Sequence, residues 1–502
     1  MGTTTDKLTH LGQTKSEIRD AIISKGVPVP VETTFRGYAD KIRDISCGGD
    51  IPQPTPYIRP NDWLPINNLV VEGNQKFVGL YAIFEDSNFL SLSAIGDYTV
   101  NWGDGTIENF ASGDQAYHQY SYDDFVGTES TKGYRQAIIT VTPQLGHDLI
   151  DINLQKKHNQ VGLVSYSTGW LDVTISAPNI TSLSIGGLLP HGHLEIFCFL
   201  GNNNISSFDA MFYNCYSLQS IPLFNTVSGV SFNLMFANCY SLQSVPLINV
   251  VNGTSFFKMF DNCYSLQSVP LFNTINGTNF SSMFSRCSSL QTVPLFNTEK
   301  GTDFNNMFSS CVSLWSVPLF NTVNGRSFDS MFVICSSLQT VPLFNTEKGV
   351  SFQNMLGSCY ALNSVPLFNT INGTSFSSMF GACYSLQSVP LFNTINGTNF
   401  SSMFANCYSL QIVPLFNVVN GNSFNNMFMN CPSLHKGSIS RPKNTISYAS
   451  CKLSASAIVD IFNNLASVWN YSTITITNNW GASLLTVEER AIATNKGWMI
   501  SG

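Results

Sequence analysis

Apolar residues recur at a fixed interval of 24 positions through the middle of the chain. A methionine stands at every twenty-fourth position from Met211 to Met427, and a cysteine follows each of them four residues later, from Cys215 to Cys431. Ten copies of this unit, residues 207 to 434, follow one another without insertion or deletion. A repeat of this length predicts a solenoid, in which each copy packs against its neighbours.

The first half of each copy predicts a short helix. In the copy that begins at Ser375, the residues Phe376, Met379, Phe380 and Cys383 are spaced as i, i+3, i+4 and i+7, which places them on one helical face. The residue before the phenylalanine is Ser, Asn or Asp in all ten copies. These side chains accept hydrogen bonds from free helix amides, so we predict an N-cap there.

The second half of each copy predicts a strand. Leu386, Val389 and Leu391 have the spacing of the strand segment in a leucine-rich repeat, and alternation places Val389 and Leu391 on the same face. Because one short helix and one short strand are unstable alone, we expect strands of successive copies to pair in parallel. The predicted fold class is therefore an α/β repeat solenoid, leucine-rich-repeat-like, with 24-residue repeats.

The consensus MF-x-x-C-x-SL-x-x-(I/V)P resembles the BspA-type leucine-rich-repeat surface proteins, and the match extends over the ten copies. This resemblance implies a surface adhesion or recognition module rather than a catalyst. Residues 263 to 284 and 383 to 404 are the same string, five copies apart. Recent duplication is the simplest cause of such uniformity.

The first 60 residues predict an attachment segment and a linker. Residues 1 to 46 carry two helix signals, of which the first opens with a capping box at Thr14 to Glu17 and closes at Gly26. The strings TKSEIRDAIISKGVPVP and TTFRGYADKI resemble N-terminal segments of bacteriophage tail-fibre proteins, which implies attachment to other virion proteins or self-association. Residues 47 to 60 are rich in glycine and proline and predict a linker.

Residues 61 to 145 predict an all-β sandwich. Asp97 to Trp102 and Arg135 to Thr142 alternate as strands, and Gly103-Asp104-Gly105 supplies a turn. The strings NWGDGTIENF, HQYSY and AIITVT resemble the PKD-like, immunoglobulin-type domain, which serves as a spacer or adhesion module. We interpret Asp104 as a turn residue rather than a calcium ligand.

The ends of the solenoid are predicted to be capped. Residues 146 to 206 contain irregular copies, as expected for a terminal cap. Residues 435 to 502 predict a C-terminal cap with a helix after Ser454, a strand at 473 to 477, and a second helix that opens with a capping box at Thr486 and ends at Gly497. The run LTVEERAIATNKGWMISG resembles the closing segment of the same repeat proteins.

Composition excludes several classes of partner. The net charge is −7 and only 11% of residues are charged, with no basic tract, so we expect no nucleic acid partner. No apolar run approaches the length of a membrane span, and the N-terminus lacks the hydrophobic region of a signal peptide, so neither membrane insertion nor Sec-type export is expected.

The cysteines predict buried thiols rather than disulfides or zinc. Ten of the thirteen occupy one equivalent position, where stacked side chains point the same way and do not converge. His191 and His193 with Glu195 are candidate metal ligands, but one H-x-H is a weak signal. We predict no metal site and no cofactor.

No catalytic arrangement is recognisable in the repeats. Their acidic residues are scattered, and the chain has no serine elbow, P-loop or HEXXH motif. We therefore expect no enzyme activity, and a polysaccharide depolymerase ranks last among the functions considered.

Two rows of side chains are candidate receptor-binding surfaces. Strand alternation predicts that Phe392, the residue after Leu391, and its equivalents in other copies face outward. If the strand ends one residue earlier, these side chains turn into the core instead. Both alternatives stay open. A second row follows the cysteine and includes an unusual tryptophan in the adjacent glutamine row. The candidates are Phe272, Phe296, Phe320, Phe344, Phe368, Phe392, Tyr264, Tyr360, Tyr384, Tyr408 and Trp315.

These observations favour a bacteriophage tail-fibre or tail-tip adhesin, attached to the virion through residues 1 to 46 and binding a host cell-surface glycan or protein through the solenoid. A bacterial cell-surface adhesin of the leucine-rich-repeat type is the alternative. A homo-oligomer, specifically a trimer, is expected by resemblance alone.

Overall fold

A computed structural model describes residues 57–158, 167–469 and 472–502, together with Lys15 and Arg19. Lys15 and Arg19 are both helical, and they lie within the first predicted N-terminal helix. The rest of the predicted attachment segment, residues 1–46, and most of the predicted linker lie outside the described residues.

The described chain contains short strands and few helices. The strands are β1 (Lys76–Ile83), β2 (Phe89–Ile95), β3 (Tyr98–Asn101), β4 (Ile107–Phe110), β5 (Gln115–Gln119), β6 (Arg135–Pro143), β7 (Asp151–Asn153), β8 (Trp170–Ser176), β9 (Ser182–Ser184), β10 (Ile196–Phe199), β11 (Phe416–Asn417), β12 (Ile439–Ser440), β13 (Ile446–Ser447), β14 (Thr473–Thr475) and β15 (Met499–Ser501). The α-helices are α1 (Ala455–Asn464) and α2 (Val487–Thr494), and 3-10 helices cover Tyr122–Thr128 and Ala482–Leu484.

Two sheets precede the repeats. Over the described residues, one sheet has the order β10-β8-β1-β6-β3-β4 and the other the order β5-β2-β7-β9. The two strands predicted from alternation are confirmed as β3 and β6, which pair antiparallel. Trp170 is fully buried and packs edge-on against Phe77 and Tyr81, with ring centroids 5.5 and 5.2 Å apart.

The turn between β3 and β4 confirms the interpretation of Asp104 as a turn residue. Gly103 and Gly105 have φ values of 87° and 95°, a region that favours glycine. The Asp104 carboxylate accepts hydrogen bonds from the Thr106 amide at 2.9 Å and from the His118 ring at 2.7 Å. Burial opposes ionisation of Asp104, but these hydrogen bonds lower its pKa overall.

Strand β8 connects the two sheets to the solenoid. It pairs antiparallel with β1 on one side and parallel with β10 on the other. Ile196 in β10 then forms a parallel bridge with Ser220 of the first repeat. The sheet therefore changes from antiparallel to parallel pairing within residues 170–199, inside the region predicted to cap the repeats.

The repeats stack in parallel, as predicted. Parallel bridges join equivalent residues of successive copies in an unbroken series from Ser207 to Ser423. Across the described residues the chain forms a β-solenoid of about 13 turns with few helices. Phe376, Met379, Phe380 and Cys383 are fully buried, and their equivalents form ladders along the interior.

The prediction of a helix in each repeat is wrong. In the copy that begins at Ser375, the amides of Ser378, Phe380 and Ala382 donate to carbonyls of the next copy, at 2.8, 3.0 and 2.6 Å. The intervening amides of Met379 and Cys383 donate to carbonyls three residues earlier. Ser378 and Ala382 have φ values of 53° and 59°, in the left-handed region. Because every second amide donates to a carbonyl of the next copy, the series of i to i−4 hydrogen bonds that defines an α-helix cannot form.

The predicted N-cap is wrong for the same reason. Ser375 forms the parallel bridge to Asn399 and does not begin a helix. In some copies, the preference for a short polar side chain at the position before the phenylalanine has another origin. The Asn399 side chain accepts a hydrogen bond from the Ser401 amide at 3.0 Å, and Asp303 accepts from Asn305 at the same distance. These contacts stabilise a turn.

The ladder cysteines are free thiols, as predicted, and the nine from Cys239 to Cys431 donate to the backbone. The Cys263 thiol donates to the Phe236 carbonyl at 3.1 Å, and the same contact recurs from Cys239 to Cys431. Burial raises the pKa of these thiols, that of Cys359 to about 12. They are therefore neutral core residues at ordinary pH.

Alternation in the second half of the repeat fails at one position. Val389 is buried as predicted, but Leu391 is 58% exposed and Phe392 is 2% exposed. The Phe392 amide donates to the Pro390 carbonyl two residues earlier, at 3.0 Å. Such a three-residue turn reverses the chain at Leu391, so the next side chain points inward.

The C-terminal region contains the helix starts that the sequence predicts. The Ser454 side chain accepts from the Ala457 amide at the start of α1, and Thr486 and Glu489 form the predicted capping box at the start of α2. Strands β13, β14 and β15 pair in parallel. Within the described parts of the chain, no helix has the length and apolar character needed to span a bilayer.

Candidate binding face

The phenylalanine row does not lie on the surface. The structure shows the inward alternative for all six candidates, which are at most 2% exposed: Phe272, Phe296, Phe320, Phe344, Phe368 and Phe392. Their rings stack on one another and on the phenylalanines that follow the methionines. The cause is the proline turn described above, which strand alternation does not reveal. These six residues are therefore core residues and not a binding surface.

The tyrosine row is exposed and ordered. Tyr264, Tyr360, Tyr384 and Tyr408 are 37–45% exposed, and Tyr216 and Tyr240 are half-buried members of the same row. The rings form two stacks of three, with centroids 4.8 and 5.0 Å apart in the first and 4.6 and 4.8 Å apart in the second. Each ring is held by a neighbour, so little rotational freedom remains to be lost on binding.

The repeat backbone fixes the outward direction of these tyrosines. Cys383 is buried in the core, and Tyr384 follows it directly. The Ser385 amide donates to the Tyr360 carbonyl of the preceding copy at 3.2 Å. Equivalent bonds join Ser265 to Tyr240 and Ser409 to Tyr384. Successive tyrosines are thus carried by paired backbone segments rather than by a mobile loop.

Trp315 lies midway between the two tyrosine stacks along the repeats. The row position of the tyrosine is occupied by Ser288, Val312 and Ser336 in the three middle copies, and Trp315 belongs to the central one of these. Its side chain is 40% exposed, and its amide donates to the Gln291 carbonyl at 3.2 Å. We define the tyrosine face as the six tyrosines, Trp315 and the neighbouring glutamines Gln219, Gln243, Gln267, Gln291, Gln339, Gln387 and Gln411.

The tyrosine face is polar and carries little charge. Desolvation and the neighbouring Tyr360 and Tyr408 raise the pKa of Tyr384, so its hydroxyl stays protonated at neutral pH. The Tyr264 hydroxyl donates to the Asn262 side chain at 3.2 Å, and Arg286 donates to the same oxygen at 3.3 Å. Aromatic rings beside amide and hydroxyl groups suit neutral, hydroxyl-rich ligands.

A second exposed row was missed by the sequence reasoning. The leucine row comprises the residues that directly follow the repeat proline, and all are 49–64% exposed: Leu223, Leu247, Leu271, Leu295, Leu319, Leu343, Leu367, Leu391 and Leu415. The proline before each leucine was the available signal, because proline interrupts regular strand pairing. Strand alternation instead places Leu391 on the same face as Val389, which is buried.

Ionisable groups pair with one another near the start of the solenoid. Arg59 donates to Asp172 at 2.8 Å, beside a cavity of about 450 Å³, and burial raises the pKa of Asp172. Lys132 donates to Glu195 at 2.7 Å, and Tyr57 donates to the other oxygen of that carboxylate. These contacts serve to join residues distant in sequence.

The histidine pair considered as a metal ligand set does not converge. His191 is fully buried between Gln155 and Thr168, and burial lowers its pKa to about 3. Glu195 is engaged by Lys132 and Tyr57. Among the residues that the structure describes, no cluster of three or more His, Cys, Asp or Glu side chains is arranged to hold a metal ion.

The fold and the repeat pattern define a repeat solenoid of the leucine-rich-repeat type. A family model described as "Mycoplasma protein of unknown function, DUF285" matches residues 201–294, 254–367 and 326–441. These matches overlap and together cover the ten repeats, so the chain is similar to that family throughout its solenoid. No curated protein matches the chain significantly.

Solved structures with distant likeness include three repeat proteins. The plant peptide hormone receptor RGFR1 in complex with RGF2 is 13% identical, with 68% of each chain covered and a TM-score of 0.21. The T. pallidum leucine-rich repeat protein is 19% identical, with 43% of this chain and 76% of that chain covered and a TM-score of 0.18. The Drosophila Toll–Spatzle complex is 13% identical, with 64% of this chain and 51% of that chain covered and a TM-score of 0.21. Likenesses this distant carry no argument about a ligand of this chain.

Proposed function

We propose that this protein is a non-enzymatic adhesin that binds a neutral glycan, or a polar loop of a protein, on a host cell surface through its tyrosine face. The observation that carries the proposal is the arrangement of two exposed tyrosine stacks with Trp315 midway between them. Within each stack the ring faces cover one another, so a ligand meets the ring edges, the tyrosine hydroxyl groups and the neighbouring glutamine amides, which can bind sugar hydroxyl groups. The tyrosines, Trp315 and the glutamines carry no charge themselves, and this favours neutral over acidic ligands.

Repetition supplies affinity that single contacts lack. Equivalent tyrosines recur every 24 residues, so a polymeric ligand can engage several of them along one chain. Each additional contact on the same ligand is intramolecular and raises avidity without a new strong site. A repetitive surface polysaccharide is therefore the ligand class that gains most from this face.

We further propose that the protein acts on a bacteriophage tail, as a tail-fibre or tail-tip adhesin. The support is the resemblance of residues 1–46 to tail-fibre attachment segments, together with the neutral binding face. In this proposal the two-sheet region, with its resemblance to PKD-like domains, spaces the solenoid from the virion. The virion-bound form is proposed to be a homo-oligomer.

The binding proposal is tested with purified protein on an array of neutral oligosaccharides and on intact bacterial cells. We expect Trp315→Ala and Tyr384→Ala each to weaken binding roughly tenfold, as for aromatic residues at the centre of an interface. Val350→Ala, at an exposed apolar position outside the tyrosine face, is the matched control and should bind like the parent. Equal binding by all variants would remove the tyrosine face from consideration.

A bacterial cell-surface adhesin is the second candidate, favoured by the DUF285 match over residues 201–441. Immunogold labelling distinguishes the two. Gold on phage tails supports the tail-fibre proposal, whereas gold on the bacterial envelope without labelled virions supports the second candidate. Release of oligosaccharides from capsular polysaccharide would contradict the non-enzymatic proposal in either setting.

A further inference from the structure

The leucine row is the longest apolar surface feature of the repeats. Its nine side chains are each about half exposed, and a neighbouring column adds Val227, Ile275, Ile371 and Ile395, which are 43–45% exposed. Exposed apolar rows of this extent mark interaction sites in soluble proteins. The tyrosine face lies in a different part of each repeat, so the proposed receptor function leaves the leucine row unexplained.

The backbone holds these leucines outward. Leu391 is the central residue of the turn closed by the hydrogen bond from Phe392 to Pro390, and the same bond recurs from Ile248 to Phe416. Repacking a leucine into the core would require breaking this turn and displacing the buried phenylalanine beside it. The exposure is therefore a fixed property of the repeat.

Two acceptor groups beside each leucine are paired within the chain. The Asn393 side chain accepts a hydrogen bond from the Ile395 amide at 3.2 Å. The Asn393 carbonyl accepts from the buried Thr370 hydroxyl at 2.7 Å. The same two contacts recur in other copies, as at Asn345. A partner therefore need not supply donors to these two oxygens.

A groove runs beside the leucines. Between Leu391 and Leu415 it encloses about 310 Å³, lined by Asn393, Ile395 and Asn417. A similar groove of about 430 Å³ lies beside Leu223 and Leu247. A ridge of leucines from another molecule fits along such a groove only if its spacing equals one repeat, which is roughly the 4.8 Å distance between paired strands.

From this spacing we infer that the leucine row pairs with the leucine row of a second copy of this chain. A second copy has the same period, so all nine leucines match at once, whereas a partner without this period matches only locally. Charge does not oppose the pairing, because the two glutamates in the neighbouring column, Glu299 and Glu347, are each followed by a lysine.

The size of the surface is sufficient for a stable pair. Three columns that are exposed or partly exposed, the leucine, the asparagine and the Val/Ile column with its two glutamates, run through nine copies, which matches the roughly 20–30 residues per partner of a stable interface. A self-complementary face of this kind closes as a two-fold dimer. In such a dimer the two tyrosine faces remain free.

The inference is tested by sedimentation velocity on the full chain at micromolar concentration. We expect the parent protein to be a dimer, and the triple variant Leu271→Asp, Leu319→Asp, Leu367→Asp to be a monomer with a dissociation constant raised at least roughly 100-fold. The double variant Ile334→Asp, Val350→Asp changes equally exposed apolar residues in other columns and should stay dimeric. Thermal unfolding of each variant verifies that it is folded.

Three outcomes would overturn the inference: a monomeric parent, a trimer, or a dimer that the leucine variants leave intact. Binding of the monomeric variant to the oligosaccharide array is measured separately. Since the tyrosine face is untouched, the affinity of each chain should persist while avidity for intact cells falls. A loss of dimerisation with retained glycan binding therefore separates this inference from the proposed receptor function.

Discussion

The amide of Phe344 donates a hydrogen bond to the carbonyl of Pro342, two residues earlier, at 2.9 Å. Leu343, between them, is 58% exposed, while Phe344 is 1% exposed. One backbone turn thus separates two adjacent apolar side chains, placing one in solvent and the other in the core. The pair provides a direct experimental contrast.

Truncating these two neighbours should have very different effects on stability. We expect Phe344→Ala to destabilise the protein by about 3–5 kcal/mol, because it leaves a cavity in the phenylalanine ladder. In the background of the monomeric leucine-row variant, where subunit contacts play no part, Leu343→Ala should change the free energy of unfolding by no more than about 0.5 kcal/mol, as at other surface positions. Guanidinium unfolding followed by circular dichroism measures both. Similar losses for the two variants would contradict the orientations described here.

The glycine before the end of each repeat should not tolerate a methyl group. A Cβ atom at Gly349 would lie 2.7 Å from the ring of Phe352, which is fully buried. We expect Gly349→Ala to cost about 1–3 kcal/mol through overpacking. Gly381→Ala is the control, because its added Cβ would lie no closer than 3.4 Å to any neighbour. Thermal unfolding of the two variants should rank them clearly.

The cysteine ladder should make stability fall at alkaline pH. In the unfolded chain a thiol ionises near its usual pKa of about 8.5, while burial raises the pKa of Cys359 to about 12 in the folded chain. Between these values the unfolded state binds fewer protons than the folded state, so each thiol lowers stability by up to about 1.4 kcal/mol per pH unit. Below about pH 8 the thiols contribute no pH dependence.

A single substitution isolates this effect from other titrating groups. We expect Cys359→Ala to flatten the dependence of unfolding free energy on pH between 9 and 11 by the contribution of one thiol, with reducing agent present throughout. Cys198, which is only partly buried and lies outside the ladder, provides a comparison through Cys198→Ala. An unchanged slope in Cys359→Ala would show that this thiol is not buried as described.

The capping box of helix α2 should contribute measurably to the C-terminal cap. The Thr486 hydroxyl accepts from the Glu489 amide at 3.2 Å, and the Glu489 carboxylate accepts from the Thr486 amide at 2.8 Å. Thr486→Ala should cost about 1 kcal/mol. In a double-mutant cycle with Glu489→Ala the two losses should not add, because the contacts act together. Hydrogen exchange localises the effect to α2.

Much of this fold could be predicted from residue spacing. The 24-residue period fixed the stacking of copies, and the inward positions of Phe376, Met379 and Cys383 followed from it. The capping box at Thr486 and the alternation of Arg135 to Thr142 were also sufficient signals. These features depend on local patterns whose physical meaning does not change with tertiary context.

The helix prediction failed because two structures share one apolar spacing. An i, i+3, i+4 pattern suits a helix, but it also suits a series of tight turns with a left-handed residue at every fourth position. Asparagine, which tolerates this conformation, occupies many of these positions, such as Asn238, Asn406 and Asn430. At Ser378 and Ala382 the sequence carries no such signal, because stacking of the copies imposes the conformation.

The candidate site was predicted in part. Exposure of Tyr384 and Trp315 agreed with their positions in the repeat, but the binding role of the tyrosine face stays a prediction. The direction of the phenylalanine row could not be predicted, because the three-residue turn from Pro390 to Phe392 exchanges the inward and outward positions. Strand alternation alone does not reveal this turn, and the proline is the residue that indicates it.

The hydrogen bonds between adjacent copies recur at fixed separations of 22 to 27 residues, as between Thr394 and Asn417 or Cys263 and Phe236, and the parallel bridges join equivalent residues such as Ser375 and Asn399. Consequently a gene duplication that adds one whole unit creates no new kind of contact and leaves both caps undisturbed. The length of the solenoid can then change during evolution in steps of one turn, while each turn keeps the same chemistry.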